Sequence, residues 1–190
     1  MKRFFLGLLA ILLLAIVALL FWPEKRYEPF QVNDAYQAQV DAYYVPSMPR
    51  DWEWKTFVTR DGTRLRWGET GNAEAAKATL IWVPGYTATL DMYGEHFDVF
   101  AKQGFHIVGI DMRGQGGSER HRESQPEKLW VSDFNVYSQD VTGFIESLNI
   151  PSERPLILTG VSFGGHVVAR TVGEFTTEVD GLFLLSLIHI

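Results

Sequence analysis

The sequence predicts an α/β fold with a mostly parallel sheet that helices cover on both faces. Short apolar runs typical of buried strands occupy residues 80–83, 106–110, 156–159 and 182–185. Longer stretches typical of helices occupy residues 92–103, 132–148 and 165–177. Strands that alternate with helices favour parallel pairing, because a parallel connection needs a crossover. Strands that are apolar at successive positions favour burial on both faces.

The sequence also predicts a hairpin and a helix cap from short local signals. Residues 54–59 and 65–69 alternate around Asp61-Gly62, which predicts a β-hairpin ahead of the parallel strands. Ser132 stands at the start of the second predicted helix, and we expect its side chain to cap that helix.

A candidate nucleophile lies where the third parallel strand meets the next helix. Residues 160–164 read Gly-Val-Ser-Phe-Gly, and their centre is Ser162. A serine on so tight a corner requires small neighbours, which explains Gly160 and Gly164. The helix that begins there directs its free N–H groups and positive dipole end at the serine. The pattern therefore predicts a nucleophile elbow, with an ordinary glycine-rich turn as the alternative.

A second corner follows the first parallel strand. Residues 79–87 end an apolar strand in Pro84-Gly85 and continue with small polar residues. A backbone N–H just past such a strand points into the space above the sheet, where it can bind an oxyanion. We expect the amides of Tyr86 and Phe163 to form this pair of donors, with Gly85 supporting the bend. The alternative is an ordinary strand-to-helix turn.

The third segment, residues 107–118, ends a strand at Asp111 and continues as a glycine-rich loop. No Gly-Lys-Ser/Thr follows it, and no Gly-x-Gly-x-x-Gly opens a helix, so a nucleotide site is not predicted. We expect Asp111 and Arg113 to support the loop through charge-assisted hydrogen bonds.

Together, residues 83–86, 111–118 and 160–166 resemble the α/β-hydrolases in order and spacing, and they look most like the monoacylglycerol lipase and lysophospholipase branch. The resemblance covers about residues 54–184, including a helix at 131–140. It implies the α/β-hydrolase fold. That family usually shows His-Gly where this chain has Pro84-Gly85, but the expected donor is a backbone amide, which the difference leaves intact.

The resemblance also implies a serine, acid and histidine triad, with the acid and histidine after the serine. Only residues 163–190 follow Ser162, and the two histidines among them are poor candidates. His166 falls within the following helix, where we expect it to pack, and His189 has no acid after it. We therefore expect a fold truncated at its C-terminus, with the base and acid outside these 190 residues and little or no activity in this fragment.

The last six residues carry a separate hypothesis. Residues 185–190, Leu-Ser-Leu-Ile-His-Ile, are one translation of a widely used transposase sequencing adapter, CTG TCT CTT ATA CAC ATC. We hypothesise that they are an artefact; different codons at these positions would contradict that.

At the other end, residues 4–22 carry no charge and as a helix span about 28 Å, close to the thickness of a bilayer core. Lys2 and Arg3 precede this run, and Phe21-Trp22 closes it with an aromatic edge. We predict a transmembrane signal anchor over residues 1–22, a linker over 23–52 and a hydrolase domain over 53–190. A cleaved signal peptide is the alternative. The expected topology is single-pass, with the N-terminus cytoplasmic and the hydrolase outside (facing the periplasm, if bacterial).

Composition narrows the function further. The apolar fraction of 46% suffices for a packed core, and a net charge of −6 without a basic stripe argues against nucleic-acid binding. The absence of cysteine excludes thiol chemistry. We predict a serine ester hydrolase that acts on lysophospholipid or monoacylglycerol, with no metal or other cofactor. The alternatives are a peptidase of the proline-iminopeptidase type and a non-catalytic binding protein of the same fold.

Overall fold

The computed structural model describes residues 7, 11–18, 48–121, 129–174 and 178–185. The chain divides into two units, Met1–Tyr44 and Val45–Ile190. In the first unit residues 11–18 are helical. Within the described residues, no helix has both the length and the apolar character needed to cross a membrane. Much of the predicted anchor and most of the predicted linker lie outside the described residues, as do residues 186–190.

The second unit contains a mixed sheet whose described strands number six. In chain order these strands are β1 (Glu53–Val58), β2 (Arg64–Thr70), β3 (Thr79–Val83), β4 (His106–Ile110), β5 (Leu156–Val161) and β6 (Gly181–Leu185). Their order across the sheet is β1-β2-β4-β3-β5-β6. The pairs that β3 forms with β4 and β5, and β5 with β6, are parallel, whereas β2 runs antiparallel to β1 and β4. The predicted parallel sheet and the predicted hairpin are therefore both present.

Helices cover the two faces of this sheet, as predicted. The described helices are α1 (Gly94–Lys102), which follows a 3-10 turn over Leu90–Tyr93, α2 (Asn135–Ser147) and α3 (Phe163–Glu174). Successive residues of β3 point to opposite faces. Leu80 and Trp82 pack in one apolar cluster with Phe97 of α1, whereas Ile81 and Val83 belong to a second cluster that α2 and α3 complete.

The element boundaries differ from the sequence prediction mainly at helix starts. Helix α2 begins at Asn135, where the amide donates to the Asp133 carboxylate (2.9 Å), so the predicted cap at Ser132 is wrong. Helix α3 begins at Phe163, two residues earlier than predicted. The hairpin turn has Gly62 at φ 89°, a conformation that glycine adopts without strain.

Three loops leave the sheet at one edge. The segments that follow β3, β4 and β5 begin at Pro84, Asp111 and Ser162, at the carboxyl ends of parallel neighbouring strands. Ligands of open α/β sheets bind at this edge. All three motifs singled out in the sequence therefore lie where a site is expected.

Candidate active site

Ser162 occupies the corner between β5 and α3 with φ 52°, in the left-handed region that residues other than glycine rarely adopt. The main chain holds it there from both sides. Its amide donates to the Leu185 carbonyl of β6 (2.8 Å), and its carbonyl accepts from the Gly165 amide (2.9 Å). This strained strand-to-helix corner, called the elbow below, presents the serine at the N-terminus of α3.

The two glycines of the motif are there for steric reasons. A Cβ atom on Gly160 would lie 2.4 Å from the Gly164 carbonyl oxygen and 2.5 Å from the Gly165 backbone. A Cβ atom on Gly164 would lie 2.3 Å from the carbonyl oxygen of Val83 at the end of β3. Both contacts are with backbone, which cannot swing aside as a side chain can. The packing therefore leaves room only for glycine at these two positions.

The Pro84-Gly85 bend lies directly against the elbow. Because Val83 is paired with Gly160, the residues after β3 run beside Ser162. A Cβ atom on Gly85 would lie 3.5 Å from the Ser162 Cβ atom. The bend closes with a hydrogen bond from the Ala88 amide to the Gly85 carbonyl (3.2 Å).

The amides of Tyr86 and Phe163, the expected oxyanion donors, flank Ser162. Within the described residues, neither amide donates a hydrogen bond to a backbone carbonyl outside the regular helices and strands. The next residue of the first loop, Thr87, also has positive φ (60°). Strained backbone with unused donors is typical of a binding site rather than of a structural turn.

Ser162 opens into a mainly apolar cavity of about 430 Å³. Its lining residues come from the β3 loop, α2 and α3: Tyr86, Phe134, Ser138, Ser162, Phe163, His166, Val167 and Arg170. Rings of this wall meet edge to face, with Phe163 centred 6.1 Å from Tyr86 and 6.2 Å from Phe134. A larger cavity of about 690 Å³ lies beside α2 and the hairpin, but Ser162 does not line it.

Asp111 holds the end of the loop that follows β3, residues 84–89. Its carboxylate accepts hydrogen bonds from the amides of Leu90 (2.8 Å) and Gly117 (2.9 Å) and from Nε of Arg66 (2.7 Å). Burial raises the pKa of Asp111, although these donors and the charge of Arg66 oppose the increase. Since Leu90 directly follows residues 84–89, this carboxylate fixes one end of the segment that carries Tyr86.

Arg66 extends the same support, and the sequence argument did not identify it. Its Nη2 donates to Thr89 Oγ1 (2.8 Å), and its guanidinium lies 4.0 Å from the centre of the Trp54 ring. The alternation of residues in β2 was the signal available in the sequence, but periodicity alone does not distinguish a half-buried arginine from an exposed one.

Arg113 belongs to a separate network on the α2 side. It donates through Nε and Nη2 to both oxygens of Asp140 (2.6 and 2.7 Å) and through Nη1 to Asp61 (2.9 Å). Burial works against the charged guanidinium, but the hydrogen bonds and charges of Asp140 and Asp61 outweigh it and raise the pKa of Arg113. Asp111 and Arg113 thus form the expected charge-assisted bonds, each with different partners.

The described histidines are distributed as follows. His106 contacts Thr79 and Glu69, His121 accepts from Arg113, and His96 lies beside the Trp82 ring. His166 is exposed and lines the cavity, so the expectation that it packs within its helix is wrong. Four residues along a helix return to almost the same face, which keeps His166 beside Ser162. His189 lies outside the described residues.

This sheet, with a strained serine at the β5 corner, defines an α/β-hydrolase. Residues 74–187 match the family described as serine aminopeptidase, S33, and the chain belongs to that family.

Curated relatives include lipid-acting proteins. The chain is 29% identical to the monoglyceride lipase of Homo sapiens over 136 residues, covering 68% of this chain and 41% of the lipase. It is 28% identical to a 1-acylglycerol-3-phosphate O-acyltransferase of Arabidopsis thaliana over 141 residues, covering 66% of this chain and 31% of that protein. The chain therefore spans well under half the length of either relative.

Among solved structures, a membrane phospholipase A described as a bacterial virulence factor superposes with a TM-score of 0.61 at 24% identity. The match covers 100% of this chain and 53% of that one. At this identity the similarity establishes the fold.

Proposed function

We propose that this chain carries the nucleophile and oxyanion site of a serine ester hydrolase. The observation that carries the proposal is Ser162 at φ 52°, at the N-terminus of α3 and open to an apolar cavity. An unstrained serine on a loop would have no such presentation. The unused amides of Tyr86 and Phe163 on either side support the oxyanion role.

The proposed reaction proceeds in two steps. Ser162 Oγ loses its proton to a histidine and forms a bond to the ester carbonyl carbon, whose oxygen is stabilised by the two amides. The carbon–oxygen bond to the alcohol then breaks, and the histidine returns the proton to the leaving alcohol. Water, activated by the same histidine, hydrolyses the acyl-serine to a carboxylic acid and restores the serine. The histidine and its acid are proposed to come from sequence beyond residue 190, in the chain order that the family resemblance implies.

The proposed substrates are lysophospholipids or monoacylglycerols. The aromatic wall around Ser162 offers an apolar surface to an acyl chain. The names of two relatives also support a lipid, since one is a monoglyceride lipase and another an acyltransferase of 1-acylglycerol-3-phosphate.

A second candidate is a peptidase, because the matched family is described as serine aminopeptidase. The two differ in the scissile bond and in what must be recognised beside it. An aminopeptidase must also bind the substrate's terminal ammonium, for which a carboxylate is the natural partner, and the described lining of this cavity contains no carboxylate. We therefore favour the ester hydrolase.

We further propose that residues 1–22 anchor the protein in a membrane, with the hydrolase domain outside. The run of residues 4–22 without charge supports this proposal. Deletion of residues 1–22 should move the protein from the membrane fraction to the soluble fraction. Recovery of the intact protein in the soluble fraction would contradict the anchor.

The nucleophile is tested in the product of the complete open reading frame. A fluorophosphonate should label Ser162, and p-nitrophenyl esters should be turned over much faster than proline p-nitroanilide. Ser162→Ala should remove the label and lower kcat/KM by about 10⁴-fold or more. A folded protein that is never labelled would instead indicate a non-catalytic binding protein. The 190 residues alone are expected to show little or no turnover.

A further inference from the structure

The cavity beside Ser162 contains a buried hydroxyl without a partner. Ser138, on α2, is 1% exposed, and its Oγ has no hydrogen-bond partner within the described part of the chain. An unsatisfied buried hydroxyl destabilises the folded protein by about 1–3 kcal/mol. Since Ser138 also lines the cavity, a ligand in that cavity can supply the missing partner.

A cation lies on the part of the cavity wall that α3 forms. Ser162, just before α3, and His166 and Arg170 within it follow one another at four-residue spacing, and all three line the cavity. Arg170 therefore lies about 12 Å along the helix from the serine. Its side chain is 32% exposed, so this part of the cavity wall is partly open to solvent.

The charge of Arg170 is only partly used within the protein. Its Nε donates to Glu174 (2.9 Å), an exposed i,i+4 pair that contributes little to stability. The described hydrogen bond leaves the two terminal amino groups of the guanidinium for a ligand. Among the described lining residues there is no carboxylate that would repel an anion. Arg170 thus brings cationic donors to the cavity, although its pair with Glu174 offsets part of that charge.

We propose that this cavity selects an anionic head group, a phosphate carried on a lysolipid, over a neutral glycerol. The inference rests on the proposed function, which leaves both substrates open. The acyl chain packs on the aromatic wall beside Ser162. The Ser138 hydroxyl donates to a glycerol oxygen of the head group, and Arg170 binds the phosphate through its terminal amino groups.

Binding of non-hydrolysable ethers tests this selection without any catalytic step. The ligands are 1-O-octylglycerol 3-phosphate and 1-O-octylglycerol, which differ only in the phosphate, measured by calorimetry below their micelle concentrations. The wild-type protein should bind the phosphate ether about tenfold more tightly, the size of one charge-assisted contact. Arg170→Gln should remove that preference and leave the neutral ether unchanged.

Two variants control for charge in general. Lys102→Gln removes a cation from an i,i+4 pair with Asp98 on α1 and should change neither affinity. Glu174→Gln frees the Arg170 guanidinium and should leave the preference intact or increase it. An equal affinity of the wild type for both ethers, or an unchanged preference in Arg170→Gln, would overturn the inference.

Ser138→Ala separates a ligand contact from a structural role. Removal of an unpartnered buried hydroxyl should raise Tm. The lost contact should weaken the binding of both ethers about threefold or more, without changing the ratio of their affinities. Full affinity in Ser138→Ala would remove this residue from the site.

Inorganic phosphate distinguishes a lipid head group from a free anion. Phosphate at the concentration of the ether should not bind measurably, because it lacks the acyl chain. Binding as tight as that of the ether would overturn the lysolipid assignment. Fluorophosphonate labelling is read separately: a labelled Ser162 with no ether preference refutes only this inference, and a preference without labelling refutes only the nucleophile.

Discussion

Two loops at the same edge of the sheet use their polar groups in opposite ways. The elbow and the adjoining residues 84–88 contain Thr87 and Ser162, the two non-glycine residues with positive φ in the described part of the chain. In residues 111–118, one strand away, Asp111 and Arg113 instead use their charged groups in hydrogen bonds to neighbouring elements, although the Gln115 side chain is buried without a partner in the described part of the chain. The first loop retains strained backbone and free amide donors, and the second provides charge-paired support against which such strain can persist.

The largest expected effect comes from breaking the supporting side. Arg113→Met leaves Asp140, whose side chain is 8% exposed, without its cation. An unpaired buried charge of this kind destabilises a protein by about 3–5 kcal/mol, measured as the free energy of unfolding in urea at pH 7. Burial already raises the pKa of Asp140, so protonation at lower pH should relieve part of the loss.

A double variant shows whether charge or packing is responsible. Arg113→Met with Asp140→Leu removes both buried partners and should recover much of the stability, since apolar replacement of a buried pair is often close to neutral. If the double variant is less stable than Arg113→Met alone, the network contributes mainly through the shape of its side chains. Residues 111–118 would then not act as a charge-paired support.

A smaller effect is expected on the strained side. Gly164→Ala puts a methyl group 2.3 Å from the Val83 carbonyl oxygen, so strand and helix must separate. We expect a loss of about 2–3 kcal/mol in unfolding free energy, within the usual range for overpacking. Because the shift opens the elbow, fluorophosphonate labelling of Ser162 in the complete protein should fall as well.

The matched control lies in the same helix. A Cβ atom on Gly173 would meet nothing within 4 Å, so Gly173→Ala should be neutral or stabilise α3 by up to about 1 kcal/mol. Similar losses in both variants would show that helix α3, rather than the corner, is sensitive to substitution.

Local sequence signals were sufficient for the fold and for the elbow. Buried strands are recognisable in the sequence as apolar runs, and the need for glycine at positions 160 and 164 follows from the geometry of a single corner. Such features depend on neighbours in sequence. The parallel sheet followed because strands joined by helices have few alternatives.

The remainder of the site depends on pairs that are distant in sequence. Arg66 meets Asp111 across 45 residues, and Arg113 meets Asp61 across 52. No local pattern selects one carboxylate among many as the partner of a given arginine. Ser138 was missed for the same reason, because an unsatisfied hydroxyl is recognised only once its surroundings are known. Arg170 had a signal in its four-residue spacing from His166 and Ser162.

The smallest expected effect concerns the exposed end of the Arg113 network and its dependence on pH. Hydrogen bonds from Arg113, then from Thr59, hold the pKa of Asp61 well below its ordinary value of 3.8. A carboxyl group with a lowered pKa stabilises the folded protein above its unfolded pKa, and that contribution is lost as pH falls through the folded pKa. The stabilising contribution of Asp61 should therefore begin to fall near pH 4 and be lost progressively at lower pH.

Asp61→Asn keeps the shape of the turn and removes only the charge. Because the Asp61 side chain is 53% exposed, the loss at pH 7 should be at most about 1 kcal/mol. Urea unfolding should give the same difference between variant and wild type at pH 7 and pH 5, and a smaller one below pH 4. A difference that grows as the solution is acidified would have the opposite sign, and would mean that Asp61 acts through the hydrogen bonds of the hairpin turn rather than through its ion pair with Arg113.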